Sequence, residues 1–400
     1  MAKSGLSSTR LKRLHDAARR AVDKGEVAGA ITLVQRRGET VVDVVGQMDR
    51  DARTRLERRS IFRIASMSKP ITAAAAMILV EEGRLSLDEP VDRLLPELAG
   101  RRVLKDPSGA LEDTVPALRP ITLRDLLTFR LGLGIPLGPP ETPIQKAMAE
   151  RLGGDPKTST PLDPDAWMKQ IGTLPLARQP GERWDYHTGS DLLGVLIARA
   201  SDMGFEAFLK QRIFEPLGMK DTGFHVPKPK LKRLATCYWT DPKTGKPAVY
   251  DAPASSAWAS PRPFASGGGG LVSTADDYLA FAEMMLNGGR RGKERILSRL
   301  TVEAMTTDQL TEEQKTGSPF MPGFWDNRGW GFGVSMITRR TDISASPGRF
   351  GWNGLYSTQW TSDPREEMIC ILMTQQHALP PSLNGLRADF LTLAYQAIDD

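Results

Sequence analysis

The 400-residue chain has only two cysteines, Cys237 and Cys370, and four histidines, His15, His187, His225 and His377. Two cysteines so far apart write no disulfide framework and no cysteine-rich metal site. The histidines show no H-E-x-x-H or other ligand spacing, so the expected metal content is none. No run of 18 apolar residues occurs, which excludes a membrane-spanning helix signal. The N-terminal stretch MAKSGLSSTRLKRLHDAARR lacks an apolar signal region, and the expected location is the cytoplasm. Net charge is only +5, with no basic block, so nucleic acid is not an expected partner. What is present is ordinary for a globular protein: 40% hydrophobic and 25% charged residues, on a length that allows two or three structural units.

Periodicity places helices and strands in a distinctive order. Residues 8–24 carry an amphipathic helix with Leu11, Leu14, Ala18 and Val22 on one face. Two β-branched runs then flank Arg36-Arg37-Gly38-Glu39, a hairpin signal. Ser66 to Gly83 is a strong helix, alanine-rich and stopped by glycine. Ile121–Phe129 is a short helix capped by Thr122, and residues 132–165, rich in Gly and Pro, are expected to be a long irregular connection. Helical patterns follow at Ser190–Ala200 and Gly204–Phe214, then a second hairpin over 234–250. Ser273 or Thr274 caps a further helix that ends at Asn287-Gly288-Gly289. Met284 and Met285 on it are expected core, as are both cysteines. After residue 329 the pattern turns to strands, and Leu383–Ile398 closes the chain as a helix. Strands at both ends around a helical middle predict an α/β fold: an antiparallel sheet flanked by helices. The expected division is a sheet domain from 1–95 and 270–400, with a mostly helical domain, 96–269, inserted.

Ser66-Met67-Ser68-Lys69 is the one S-x-x-K in the chain. Chance alone supplies about one or two in a chain of this length. Its context is more informative, because on a helix residues i and i+3 share a face, which sets the Lys69 amine beside the Ser66 hydroxyl. A serine hydroxyl needs a neighbour to take its proton before it attacks. The motif alone leaves open an N-cap serine beside a solvated lysine.

The stretch FRIASMSKPITAAAAMILVEEGRLSLDEPV resembles the nucleophile helix of the serine β-lactamase and penicillin-binding-protein superfamily. The resemblance is to the class C-like branch that includes the family VIII carboxylesterases. Further stretches match in order: ITLRDLLTFRLGLG, PGERWDYHTGSDLLGVLIARAS, FEAFLKQRIFEPLGMKDTGFHVP, ASGGGGLVSTADDYLAFAEMMLNGG and GRFGWNGLYSTQWTSDP. They cover most of residues 25–375. The resemblance implies a β-lactamase-like fold and an acyl-enzyme on Ser66, without a cofactor.

Tyr186-His187-Thr188 matches the family's second motif at its tyrosine and lacks its asparagine. Tyr186, near Lys69, is expected to serve as general base and acid. His187 invites a Ser-His-Asp reading, but no G-x-S-x-G elbow exists, and it is assigned as a structural or pocket side chain. For the third motif, Lys243-Thr244-Gly245 lies in a polar turn and Lys315-Thr316-Gly317 is expected in a solvated loop; both are set aside. Trp352-Asn353-Gly354-Leu355 takes their place by resemblance. Trp352, Asn353 and Gly354 would line the cleft, and the backbone N–H groups of Ser66 and Leu355 would hold the oxyanion. Gly267–Gly270 is not a phosphate loop, since no G-K-[ST] follows.

The expected function is that of a serine carboxylesterase acting on short- to medium-chain acyl esters, a small-molecule enzyme that is a monomer or homodimer. The alternatives are a β-lactamase, D-amino-acid peptidase, amide-oligomer hydrolase or acyltransferase on the same fold, and a non-catalytic ligand-binding module.

Overall fold

In the computed structural model the described residues are 4–136, 139–153, 160–241, 243–318, 320–377 and 385–400. An eight-stranded sheet forms from both ends of the chain. From edge to edge its strands are Arg328–Trp330, Ser335–Ile337, Phe350–Asn353, Gln359–Asp363, Met368–Met373, Gly29–Arg36, Glu39–Asp49 and Thr54–Arg55. Every neighbouring pair is antiparallel. N-terminal and C-terminal sequence meet at its centre, where Val34 faces Cys370.

The two faces of the sheet follow the period of two along each strand. Ala30, Val34, Cys370 and Leu372 pack under the terminal helices Ser8–Asp23 and Leu386–Tyr395, with Leu14, Ala18 and Phe390. Ile31, Leu33, Ile369 and Ile371 face the other way, into the main core with Met77, Leu192 and Phe281. That core is one apolar cluster running from the sheet through the helical middle as far as Trp167 and Phe208.

The helix Ser68–Glu81 lies inside it, buried on all sides from Ser68 to Leu79. Four successive alanines suit that position because they let neighbours approach closely: a Cβ on Gly333 would meet the Cβ of Ala73 at 2.5 Å. The helix Ala275–Leu286 starts at Thr274, whose hydroxyl accepts from the Asp277 N–H, and Leu123–Leu127 starts with a Thr122/Asp125 capping box. Cys237 and Cys370 are buried thiols, and Met284 and Met285 are core. Among the described residues no helix is long and apolar enough to cross a membrane.

Two expectations require correction. The 132–165 connection contains the helix Pro143–Leu152 and the start of Pro164–Gly172; positions 137–138 and 154–159 lie outside the described residues. Thr142 and Gln145 form a capping box and Pro143 occupies the first turn, so the proline belongs to a helix start. Lys315 lies in the helix Glu312–Thr316, not in a solvated loop. Its side chain is buried, with Nζ 2.6 Å from Asp308 and 2.9 Å from Glu312. Lys243–Gly245 does fall in the turn between Cys237–Thr240 and Pro247–Asp251, and the terminal helix begins at Leu386, two residues 383–384 of its expected span lying outside the described chain.

Candidate active site

Ser66 sits in a single 3₁₀ turn, Ala65–Met67, that leads directly into the helix Ser68–Glu81. Ala65 adopts a left-handed φ of 43°, a strained conformation for a residue with a side chain. The turn is held from several sides. Ser68 Oγ donates to the Ala65 carbonyl and accepts from the Leu271 N–H, and Tyr278 donates to the Met67 carbonyl at 2.9 Å. Two residues upstream of the turn, Arg63 is fully buried and paired with Asp251, with further bonds to Ser256, Gln375 and the Ala235 carbonyl. Ala65 and Met67 are buried, whereas Ser66 is partly exposed. The scaffold therefore presents one hydroxyl to solvent from a rigid corner.

The i, i+3 spacing does what the helix geometry requires: Lys69 Nζ lies 3.0 Å from Ser66 Oγ. Lys69 is fully buried, and burial pulls its ammonium down to about 7, against the opposing pull of the Asp191 carboxylate. Its other two partners are the Gly268 carbonyl at 2.6 Å and His187 Nδ1 at 3.0 Å. Nζ also lies 4.6 Å from the centre of the Tyr186 ring.

Tyr186 precedes the helix Thr188–Ser201 and stands in an aromatic wall with Phe129, Trp184, Phe320 and Trp352. Burial pushes its phenol up to about 12, opposed by hydrogen bonds with Ser66 and Trp352 and by the more distant Arg387 guanidinium. The Trp352 indole N–H donates to the phenol oxygen at 2.9 Å. Trp352 therefore supports Tyr186 directly.

The strand Phe350–Asn353 ends beside the serine turn. A Cβ on Gly354 would meet the Ile64 carbonyl at 2.4 Å and Thr358 Oγ1 at 2.1 Å, so only glycine fits this approach. Asn353 and Leu355 are partly exposed. Among the described residues, neither the Ser66 nor the Leu355 backbone N–H has a hydrogen-bond acceptor. The seven residues assigned to the site from sequence, Ser66, Lys69, Tyr186, Trp352, Asn353, Gly354 and Leu355, thus come together at one corner of the sheet.

Three further residues, His187, Asp191 and Gly268, surround Lys69 and were not assigned to the site from sequence. His187 Nε2 lies 3.1 Å from Asp191, whose other oxygen accepts from Ser266 Oγ at 2.7 Å and from the Gly268 N–H at 2.9 Å. Burial and the neighbouring Lys69 depress the imidazole below its ordinary value. Burial works against the Asp191 carboxylate, but His187, Ser266 and Gly268 hold it below the usual range. The glycine run is the sequence signal for this arrangement. A Cβ on Gly267 would strike the Ser190 carbonyl at 2.3 Å, and one on Gly268 the His187 ring at 2.8 Å. Thr188 is buried and its hydroxyl makes no hydrogen bond among the described residues. Among those residues no three His, Cys, Asp or Glu side chains gather as a metal site.

Comparison with known proteins gives a consistent picture. The family model described as Beta-lactamase matches residues 14–393. Protein Rv1367c of Mycobacterium tuberculosis (strain ATCC 25618 / H37Rv) is 39% identical over 370 residues, 89% of this chain and 88% of its own. Esterase EstB of Burkholderia gladioli is 30% identical over 377 residues, 88% of this chain and 87% of its own. Among solved structures, EstCE1, described as a hydrolase with promiscuous acyltransferase activity, superposes with a TM-score of 0.79. It does so at 24% identity, over 98% of this chain and 99% of its own.

Proposed function

Since the chain belongs to the β-lactamase family, we propose that it is a serine carboxylesterase that cleaves short- to medium-chain acyl esters through an acyl-enzyme on Ser66. The single observation that carries this reading is the 3.0 Å contact between Ser66 Oγ and a lysine whose ammonium is brought down to about 7. An amine available near neutral pH can take the serine proton, which an ordinary lysine cannot. Similarity to Esterase EstB supports the ester as the bond cleaved.

In this mechanism Lys69 accepts the Ser66 proton as Oγ attacks the ester carbonyl. The N–H groups of Ser66 and Leu355 hold the oxyanion that forms. Tyr186, a phenol across the working pH range, gives its proton to the departing alkoxide and regains one from the Lys69 ammonium. Water then attacks the acyl-enzyme, its proton passes to the same pair, and Ser66 leaves with its own proton restored. Trp352, Asn353 and Gly354 line the cleft.

In the same reading, residues 1–95 and 270–400 form the sheet domain that supplies Ser66, Lys69 and the 352–355 strand. Residues 96–269 form the inserted domain that supplies Tyr186. The enzyme works in the cytoplasm on a small-molecule ester.

Esters are preferred over β-lactams because the 352–355 strand offers tryptophan where a Lys-Thr-Gly strand offers a cation. Lys315 is engaged by Asp308 and Glu312. Losing a charge-assisted hydrogen bond to a carboxylate forfeits about 1.5–3 kcal/mol, or about 10- to 150-fold in kcat/KM. The test compares kcat/KM for a short p-nitrophenyl ester with that for a chromogenic cephalosporin on one preparation. A cephalosporin value equal to or above the ester value overturns the ester assignment.

A further inference from the structure

We propose that His187, oriented by Asp191, is a positioning residue for Lys69: its imidazole accepts a hydrogen bond from the lysine that takes the proton Ser66 gives up. The inference rests on the reading of Ser66 and Lys69 given above.

The hydrogen-bond inventory of Lys69 leads to it. Nζ has three polar neighbours: the Gly268 carbonyl, Ser66 Oγ and His187 Nδ1. A carbonyl can only accept. In the reactive amine form, Nζ has two N–H groups and one lone pair. The lone pair must face the Ser66 O–H, so the two N–H groups go to Gly268 and to His187 Nδ1. In the ammonium form all three partners accept. His187 Nδ1 is an acceptor in both states, which places the ring hydrogen on Nε2. There it meets Asp191 Oδ2 at 3.1 Å. Asp191 is itself fixed, because its other oxygen takes Ser266 Oγ and the Gly268 N–H. Gly268 closes the circuit by bonding Asp191 through its N–H and Lys69 through its carbonyl.

The backbone shows what this placement requires. His187 has φ of 85°, in the left-handed region, and its side chain bonds Asp191 in the helix that starts after it but does not cap that helix's first-turn backbone N–H groups. The ring is held in a costly conformation without capping that helix. Gly268 is the residue type that leaves the ring room.

The proton account is simple. The Ser66 O–H bond breaks and a Lys69 N–H bond forms. The ammonium so formed donates a hydrogen bond to Nδ1 and keeps its proton, because burial holds the imidazole below its ordinary value, and it later returns a proton to Tyr186. The titratable and charged groups that face this site are Asp191 in the helix Thr188–Ser201, His187 and Tyr186 just ahead of it, and Arg387, which acts on Tyr186 from the C-terminal helix; of these Asp191 supports the Lys69 ammonium.

The test uses full-length wild type, Asp191→Asn, His187→Asn and His187→Ala. In Asp191→Asn the amide oxygen keeps Ser266 and the Gly268 N–H, and its NH₂ faces His187. The ring must then turn its N–H toward Lys69, and the charge that supports the ammonium is gone. The expected result is a kcat at least about 10-fold lower with KM nearly unchanged. The acid limb of kcat/KM moves to lower pH by about half a unit or more. His187→Asn, which restores an acceptor near Nδ1 and tolerates the left-handed backbone, recovers part of the activity lost in His187→Ala. Intact mass after a serine-directed fluorophosphonate is recorded alongside. If wild type takes no adduct at Ser66, the underlying esterase reading falls and this inference with it. If wild type is labelled, but Asp191→Asn and His187→Asn keep the wild-type acid limb and lose activity only in proportion to lost folded protein, the inference falls and the Ser66 reading stands.

Discussion

The indole N–H of Trp352 and the phenol oxygen of Tyr186 meet at 2.9 Å, joining the third sheet strand to the residue just ahead of the helix Thr188–Ser201. The tryptophan can only donate, so the phenol oxygen is the acceptor. That bond turns the phenol's own hydrogen away from Trp352 and toward Ser66. With its phenol pushed up to about 12, Tyr186 suits the proposed role of proton donor to the leaving group, and Lys69, brought down to about 7, that of base. Trp352→Phe keeps the ring in the aromatic wall and removes the donor. The expected outcome is a kcat lower by about 10-fold, the worth of one hydrogen bond of ~1.4 kcal/mol, with KM little changed. Steady-state kinetics on an alkyl ester, whose alkoxide leaving group needs the proton, checks it; an unchanged kcat removes Trp352 from the proton-transfer geometry.

Gly354→Ala probes the oxyanion strand. The added Cβ would lie 2.4 Å from the Ile64 carbonyl, and backbone cannot give way by a side-chain rotation. The strand end must move back from the serine turn and carry the Leu355 N–H with it. Loss of one oxyanion donor lowers kcat by about 100-fold or more. Thermal unfolding, followed beside kinetics, separates the two effects: a large kcat loss with a small change in Tm is expected.

The parts of this site that were legible in sequence share one property: their partners lie within a turn of helix or in a long matching stretch. Ser66 and Lys69 are three residues apart on a helix, and the flanking PGERWDY and DLLG stretches single out Tyr186. The His187–Asp191–Gly268 circuit was hidden because its meaning depends on a contact between residues 69, 187 and 268, brought together only by tertiary packing. The absence of a hydrolase elbow says nothing of the histidine, because its partner is the lysine and not the serine. The glycine run matches no phosphate loop, because Gly267 serves to fit between Thr72 and the Ser190 carbonyl and Gly268 to leave room for the His187 ring. The helix Pro143–Leu152 is masked in sequence by the surrounding Gly and Pro content, although the Thr142–Gln145 capping box marks its start. Lys315 reads as solvated in sequence because its carboxylate partner Asp308 lies outside its own helix.

Lys315→Ala tests the placement of that second Lys-Thr-Gly string. Asp308 also accepts from the Trp330 and Leu310 N–H groups, so removing the lysine leaves a carboxylate short of its cation in a crowded place. The protein is expected to lose about 1–3 kcal/mol of stability, measured by denaturant unfolding. Turnover per folded molecule should stay within about two-fold, since losses above ~100-fold are the scale of a missing oxyanion donor. A loss on that larger scale would return the third motif to Lys315.

The pH profile discriminates the two proton assignments most directly. The ordinary lysine value is 10.5, and burial brings Lys69 down to about 7. If the amine is the base, the competent fraction of free enzyme grows as pH rises through about 7, so kcat/KM climbs across the range of roughly 6 to 8. One unit below that midpoint about a tenth of the enzyme carries the amine. The acid partner sets the other limb. Tyr186, at about 12, keeps its proton, so no fall is expected before strongly alkaline pH. The predicted curve is therefore a single rise to a plateau, measured with an ester whose leaving group needs protonation. If the ammonium were the working form instead, with Tyr186 as the base, the sign would reverse and kcat/KM would decline as pH rises through about 7. Lys69→Arg sharpens the comparison, because a guanidinium keeps the positive charge and cannot give up its proton in this range. Near-complete loss of kcat is expected in that variant at every pH. Retained activity would show that Lys69 serves only as a fixed charge and would transfer the serine proton to Tyr186.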